Sequence, residues 1–271
     1  MISWFIGFFF LFFVNGFPAS EIPKKFLYGC TELFLLKSIL PEQGFHVNGA
    51  TWYLSSMCIL LAILYPILRR FGKTASAIVI PMISLFAMGS LYVLGPLNGN
   101  MMTLLVGPIQ KGLVRAFFGI GFGMAGYELL KGLRMAKLTL FGRILISLIE
   151  WIIYIGFLVY TFMPNEEKVE YVLTLFLVLA ISLTASKQGV THMIFQNRVS
   201  IFLGKLSLPL FLSHFYYSRG LTKLMSEGYS DMDRLKVYLI LTFVTAFAVM
   251  FCAYLWRENK DKLKRMVVKI V

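Results

Sequence analysis

The sequence predicts an all-α fold, a polytopic transmembrane helix bundle of about eight spanning helices with one further amphipathic helix at the interface. Three observations carry this reading. The 271 residues are 58% hydrophobic and only 14% charged, with a mean hydropathy of +0.77, whereas soluble domains carry about 25% charged residues. The apolar residues gather into runs of membrane-crossing length. The basic residues fall mostly in alternate loops. A chain this apolar cannot cover its surface with water-compatible groups, which excludes an ordinary soluble enzyme, a disordered chain and a disulfide scaffold.

The runs are 2–17, 50–68, 75–95, 112–130, 139–163, 169–186, 201–218 and 235–256. Each reaches or approaches the roughly 20 residues that cross the hydrocarbon core, and a helix satisfies its own backbone there. The opening stretch, Ile2–Phe17, lacks the basic flank of a secretory signal and reads as a helix that is retained. Phe26–Leu40 is different: it carries Glu32 and Lys37, lies between Pro23 and Pro41, and is short for a span. It reads as an amphipathic helix lying in the interface. No Pro/Gly/Ser linker and no charge block divides the chain, so residues 1–271 read as one domain without an internal repeat.

Charge gives the orientation. Of 26 basic residues, 16 fall in the segments 69–74, 131–143, 187–205 and 257–271, and nine in the alternate segments, leaving Arg115 inside a span. The basic-rich side is cytoplasmic by the positive-inside rule. Both termini are therefore expected in the cytoplasm, in a multi-pass protein of the cell (inner or plasma) membrane. The net charge of +13 is then mostly loop charge, and no nucleic-acid partner is expected.

Cys30, Cys58 and Cys252 share no close spacing and read as small buried hydrophobes, so no metal site is expected. The run Gly121-Phe-Gly-Met-Ala-Gly126 matches a dinucleotide fingerprint in letters alone, since no strand precedes it. Gly119, Gly123 and Gly126 instead read as a close helix-packing face. Charged groups at membrane depth are costly and face a partner or a cavity. Arg115 lies close enough to the outer end of its span to snorkel. Glu150 lies deeper and is the better candidate for a buried pair or polar cavity. Histidine is scarce: His46 sits in the outer loop before Asn48 and Trp52, His192 in an inner loop, and His214 in a late apolar run. Ser207 and His214 are two helical turns apart and share a face, with Pro209 between them loosening the backbone ladder. His214 suits proton transfer and equally suits packing near the outer interface.

Two stretches carry a resemblance. One is Asn48-Gly-Ala-Thr-Trp-Tyr-Leu-Ser-Ser56, running into an apolar helix; the other is Phe202-Leu-Gly-Lys-Leu-Ser-Leu-Pro-Leu-Phe-Leu-Ser-His214. Together, and with the run from Arg115 to Gly121, they resemble the integral-membrane acyltransferase family 3, in order along the whole chain. The resemblance implies ten helices and transfer of an acetyl or other acyl group to a saccharide hydroxyl. It implies acetyl-CoA or another acyl-CoA as cytoplasmic donor, a lipid-linked or cell-surface saccharide as acceptor, membrane lipid as surroundings, and no bound cofactor. Asn48, Trp52, Arg115, Glu150 and Ser207 become candidates for substrate binding. The family's opening R-x-x-x-L-D-x-x-R-G helix, with its essential histidine, and the helix after it have no counterpart here. The expectation is a domain lacking two helices and inactive as it stands, with His214 a weak substitute base. The alternative reading is a transporter or flippase that moves a lipid-linked saccharide without chemistry.

Overall fold

The computed structural model describes residues 2–39, 46–97, 105–106, 109–163, 168–225 and 229–270, the side chains of 105 and 261–270 excepted. Ten α-helices hold most of the described residues. They are α1 (Ile2–Asn15), α2 (Ile22–Leu33), α3 (Thr51–Thr74), α4 (Ile80–Leu94), α5 (Lys111–Met135), α6 (Leu140–Thr161), α7 (Val169–Ser186), α8 (Thr191–Phe195), α9 (Arg198–Leu224) and α10 (Asp231–Ile270). A minimal antiparallel pair, β1 (Leu105–Val106) with β2 (Ile109–Gln110), precedes α5. The all-α expectation holds.

Among the described residues six helical stretches are long and apolar enough to cross a membrane, the longest running from Thr51 to Leu94. That stretch contains the two apolar runs expected there. Gly72 separates them with non-helical backbone (φ 51, ψ −126), a conformation that costs glycine little, and a π-helical turn at Ala75–Val79 leads into α4. The first run forms only the 14 residues of α1, about 21 Å at 1.5 Å per residue. Large side chains such as Phe13, Phe86, Val93 and Phe141 stand exposed on these helices, as lipid-facing residues should. The chain is a multi-pass integral membrane protein.

The interfacial segment becomes α2, which starts four residues earlier than the apolar pattern suggests. Pro23 falls in its first turn, where the missing N–H is harmless. Leu35, at φ 56, ends the segment just beyond the helix. Pro41, read as the far boundary, lies outside the described residues.

The helices fall into two compact units. The first combines α1, α2, residues 46–51, α9 from Ile201 onward, and α10. Its core is aromatic: Trp4 and Phe8 pack with Val47, and Leu11 with Tyr216, Tyr217 and Leu221. Gly7 lies against the Tyr216 ring, and Gly220 lies against Phe10, so small residues let α1 and α9 approach closely.

The second unit holds α3 to α8. Here α5 is central, packing on α4 and α7, with Leu60, Leu64, Ile80 and Ala116 in one cluster and Leu91, Phe118 and Tyr171 in another. The glycine face differs from the expected one. Gly121 faces Ser84 and the Ile80 carbonyl on α4, and Gly126 faces Ser182 and Val178 on α7, but among the described residues Gly119 and Gly123 have nothing within 4 Å of a built Cβ. Gly119 and Gly123 each lie two positions, about 200° of turn, from Gly121, and so fall on the side of α5 away from α4. Gly121→Ala should therefore destabilise the purified protein by about 1–3 kcal/mol through overpacking, whereas Gly123→Ala should not. Thermal unfolding in detergent checks this, and equal effects would reject the assignment.

Candidate functional site

In the first unit the last turn of α2 turns Glu32 inward, leaving it 2% exposed. Its Oε2 accepts the backbone N–H of Asn48 at 2.8 Å, and its Oε1 lies 3.7 Å from His46 Nδ1. That is an ion-pair separation rather than a hydrogen bond. Asn48 fixes the loop from its other end. Its Nδ2 donates to the Leu212 carbonyl of α9 at 2.7 Å, and its Oδ1 accepts the Ala50 N–H at 3.1 Å, an Asx turn that opens α3. The same Leu212 carbonyl accepts Ser3 Oγ at 2.9 Å. One buried carboxylate and one buried amide thus hold the chain at Asn48, two residues after His46.

His46 faces a cavity of about 310 Å³ whose walls also include Leu11 and Phe17 from the α1 end, Asn15, and Arg219 and Lys223 from the last turns of α9. Lys223 Nζ donates to Asn15 Oδ1 at 3.0 Å, and the Arg219 guanidinium lies 5.8 Å from the Phe215 ring centre. The cavity therefore combines an imidazole backed by a carboxylate, two cations and an apolar wall. An imidazole so placed can take up and return a proton.

The second unit brings together two of the expected residues. Arg115 lies with its guanidinium 5.7 Å from the Trp52 ring centre, a cation–π distance. Its Nη1 donates to the Leu97 carbonyl at 2.9 Å, beside Lys111 donating to Pro96 at 2.8 Å and Tyr171 donating to Gly95 at 2.9 Å. Three side chains from α5 and α7 thereby satisfy consecutive carbonyls as the chain leaves α4. Arg115 is anchored to the protein as well as placed beside Trp52.

Glu150 sits in the middle of α6 and is wholly buried. Its Oε2 accepts the Thr191 hydroxyl, which is in turn linked to Thr184 and, through Thr184, to Tyr154. Its Oε1 has no hydrogen-bond partner among the described residues. The backbone of residues 187–191 comes to this carboxyl because Lys187 adopts a left-handed conformation at the end of α7 (φ 65) and Ser147 Oγ accepts the Val190 N–H at 3.0 Å.

The late apolar run gives a less concerted picture than its spacing suggests. Ser207 is exposed and donates back to the Gly204 carbonyl at 2.8 Å. His214 is half-buried between Phe211 and Phe215, with Nδ1 2.8 Å from the Phe211 carbonyl. The side chain on the cavity wall is His46, not His214. Sequence reasoning placed His46 and Glu32 but assigned neither a role. They are 14 residues apart across a loop, and no periodicity links them. The one signal in the sequence is a glutamate and a histidine that both precede a motif opening with Asn48.

Among the described residues no group of His, Cys, Asp and Glu could hold a metal ion. A family model described as an acyltransferase domain matches residues 1–257. Comparison with curated proteins and with solved structures gives no significant match.

Proposed function

Because the chain belongs to the integral-membrane acyltransferase family 3, we propose that it transfers an acetyl or similar acyl group from acyl-CoA to a hydroxyl of a lipid-linked or cell-surface saccharide, with His46 as the base. The observation that carries this reading is the His46–Glu32 pair on the wall of a cavity large enough for part of a substrate. The carboxylate opposite Nδ1 favours the imidazolium that forms as the other ring nitrogen takes the hydroxyl proton. The hydroxyl oxygen bonds to the acyl carbon, the donor's C–S bond breaks, and the imidazolium returns the proton to the departing thiolate. Trp52, Arg115 and Ser207 remain candidates for contacts with donor or acceptor, and Glu150 for a polar site of its own. The loop charges support a cell-membrane protein with both ends cytoplasmic, so donor and acceptor reach the bundle from opposite sides.

The test is transfer of label. Membranes containing the chain, given acetyl-CoA labelled in the acetyl group, should place base-labile label in the saccharide fraction, and membranes without it should not. No label above that background would remove the acyl-transfer reading and favour movement of a lipid-linked saccharide without chemistry.

A further inference from the structure

We propose that the His46 cavity contains a phosphate subsite, formed by Arg219 and Lys223, that grips the phosphate ester of a membrane-borne acceptor. The inference deepens the acyltransferase reading by naming the class of acceptor. Arg219 and Lys223 are four residues apart on α9 and so share a helix face, and both line the cavity. Among the described residues neither is paired with a carboxylate. Lys223 is held by the neutral Asn15 oxygen, and Arg219 rests near Phe215. Glu32, the carboxylate beside His46, is turned toward His46 and the Asn48 amide. Two solvent-exposed cations in one concavity, without a carboxylate partner among the described residues, select an anion, and the guanidinium's fork suits phosphate geometry.

The rest of the cavity narrows the ligand. Leu11 and Phe17 give it an apolar wall, and the cations sit in the last turns of a membrane-length helix that ends at Leu224. An end of a span is where lipid phosphates lie. The fitting ligand therefore has an apolar chain, a phosphate and a hydroxyl-bearing group beyond it. With phosphate on the cations, that group reaches toward His46. By the loop charges this cavity opens away from the cytoplasm, which separates it from the phosphates of acyl-CoA.

The experiment is binding, read without turnover, to the full chain purified in a neutral maltoside detergent. The probe is a short prenyl phosphate-linked glucose carrying a fluorophore, with a prenyl glucoside lacking phosphate as control. Arg219→Gln with Lys223→Gln should weaken the phosphate probe at least tenfold, bring it to the level of the control, and leave the thermal midpoint near that of the parent. Arg219→Lys should retain most of the binding, a check that charge is what is read. Unlabelled prenyl phosphate-glucose that displaces the probe where phosphatidylglycerol does not identifies a saccharide carrier. Equal displacement by phosphatidylglycerol identifies an ordinary headgroup occupying the same phosphate subsite. Equal binding of the probe by parent and double variant, equal binding of the phosphate-free control, or displacement by desulfo-CoA would each overturn the proposal. Failure of the labelling test alone would sink the acyltransferase reading and leave this binding result intact.

Discussion

His46→Ala should lower acyl transfer by about a hundredfold or more, the usual contribution of a positioned general base, while the protein stays folded. The side chain lies on a cavity wall and is not part of an apolar cluster, so its removal leaves the aromatic core of the first unit in place. Glu32→Gln is the sharper variant. The amide oxygen can still accept the Asn48 N–H that Glu32 accepts at 2.8 Å, so the loop keeps its anchor. What is lost is the charge 3.7 Å from Nδ1, which is the part that favours the imidazolium. Transfer should fall by tenfold or more, with little change in thermal midpoint and little change in binding of the phosphate probe. Label from acetyl-CoA measures transfer, and unfolding in detergent measures stability. Full activity in His46→Ala would remove this residue from the reaction. A Glu32→Gln protein that loses stability in proportion to activity would reduce the pair to a structural one.

Gly189→Val should be the most damaging single change in the second unit. A Cβ built on Gly189 lies 2.5 Å from Glu150 Oε2 and 3.0 Å from its carboxyl carbon. The carboxyl cannot step aside freely, because Oε2 holds the Thr191 hydroxyl and the group is wholly buried. Overpacking of this kind costs about 1–3 kcal/mol, and displacing the hydrogen bond adds about 1–3 kcal/mol for the polar groups left buried. The expected result is a lower yield of folded protein and a lower unfolding midpoint. Combining Gly189→Val with Glu150→Ala removes the obstruction, so the double variant should be more stable than the sum of its single losses predicts. Strict additivity would show that Gly189 and Glu150 do not meet as described.

The same two regions mark how far the sequence could be read. Glu150 was recognisable as a buried group in a polar setting, since a carboxylate midway along an apolar run has few alternatives. Its partner was not, because residues 187–191 read as an ordinary inner loop and Thr191 carries no periodic signal. Trp52 and Arg115 were singled out separately and the fold puts them side by side. Ser207 and His214 were paired by helical spacing. Spacing fixes which side chains share a face but not what that face meets, and their hydroxyl and imidazole turn to carbonyls of their own helix. The glycine face shows the same limit: Gly119 and Gly123 fit a packing motif, yet Gly121 and Gly126 make the contacts.

The amino-acid sequence by itself determined the helical class, the membrane setting and the order of the apolar helices, because these follow from composition and local periodicity. It also carried the family resemblance, since the motifs are contiguous. Only the tertiary structure decided that Glu32 turns inward to face His46, that Asn48 is tied to Leu212, and that Arg219 and Lys223 share a cavity with the imidazole. Those contacts join residues 14 to more than 160 positions apart. Such a pairing depends on where helix ends and loops are held in space, and no local pattern of residues encodes that.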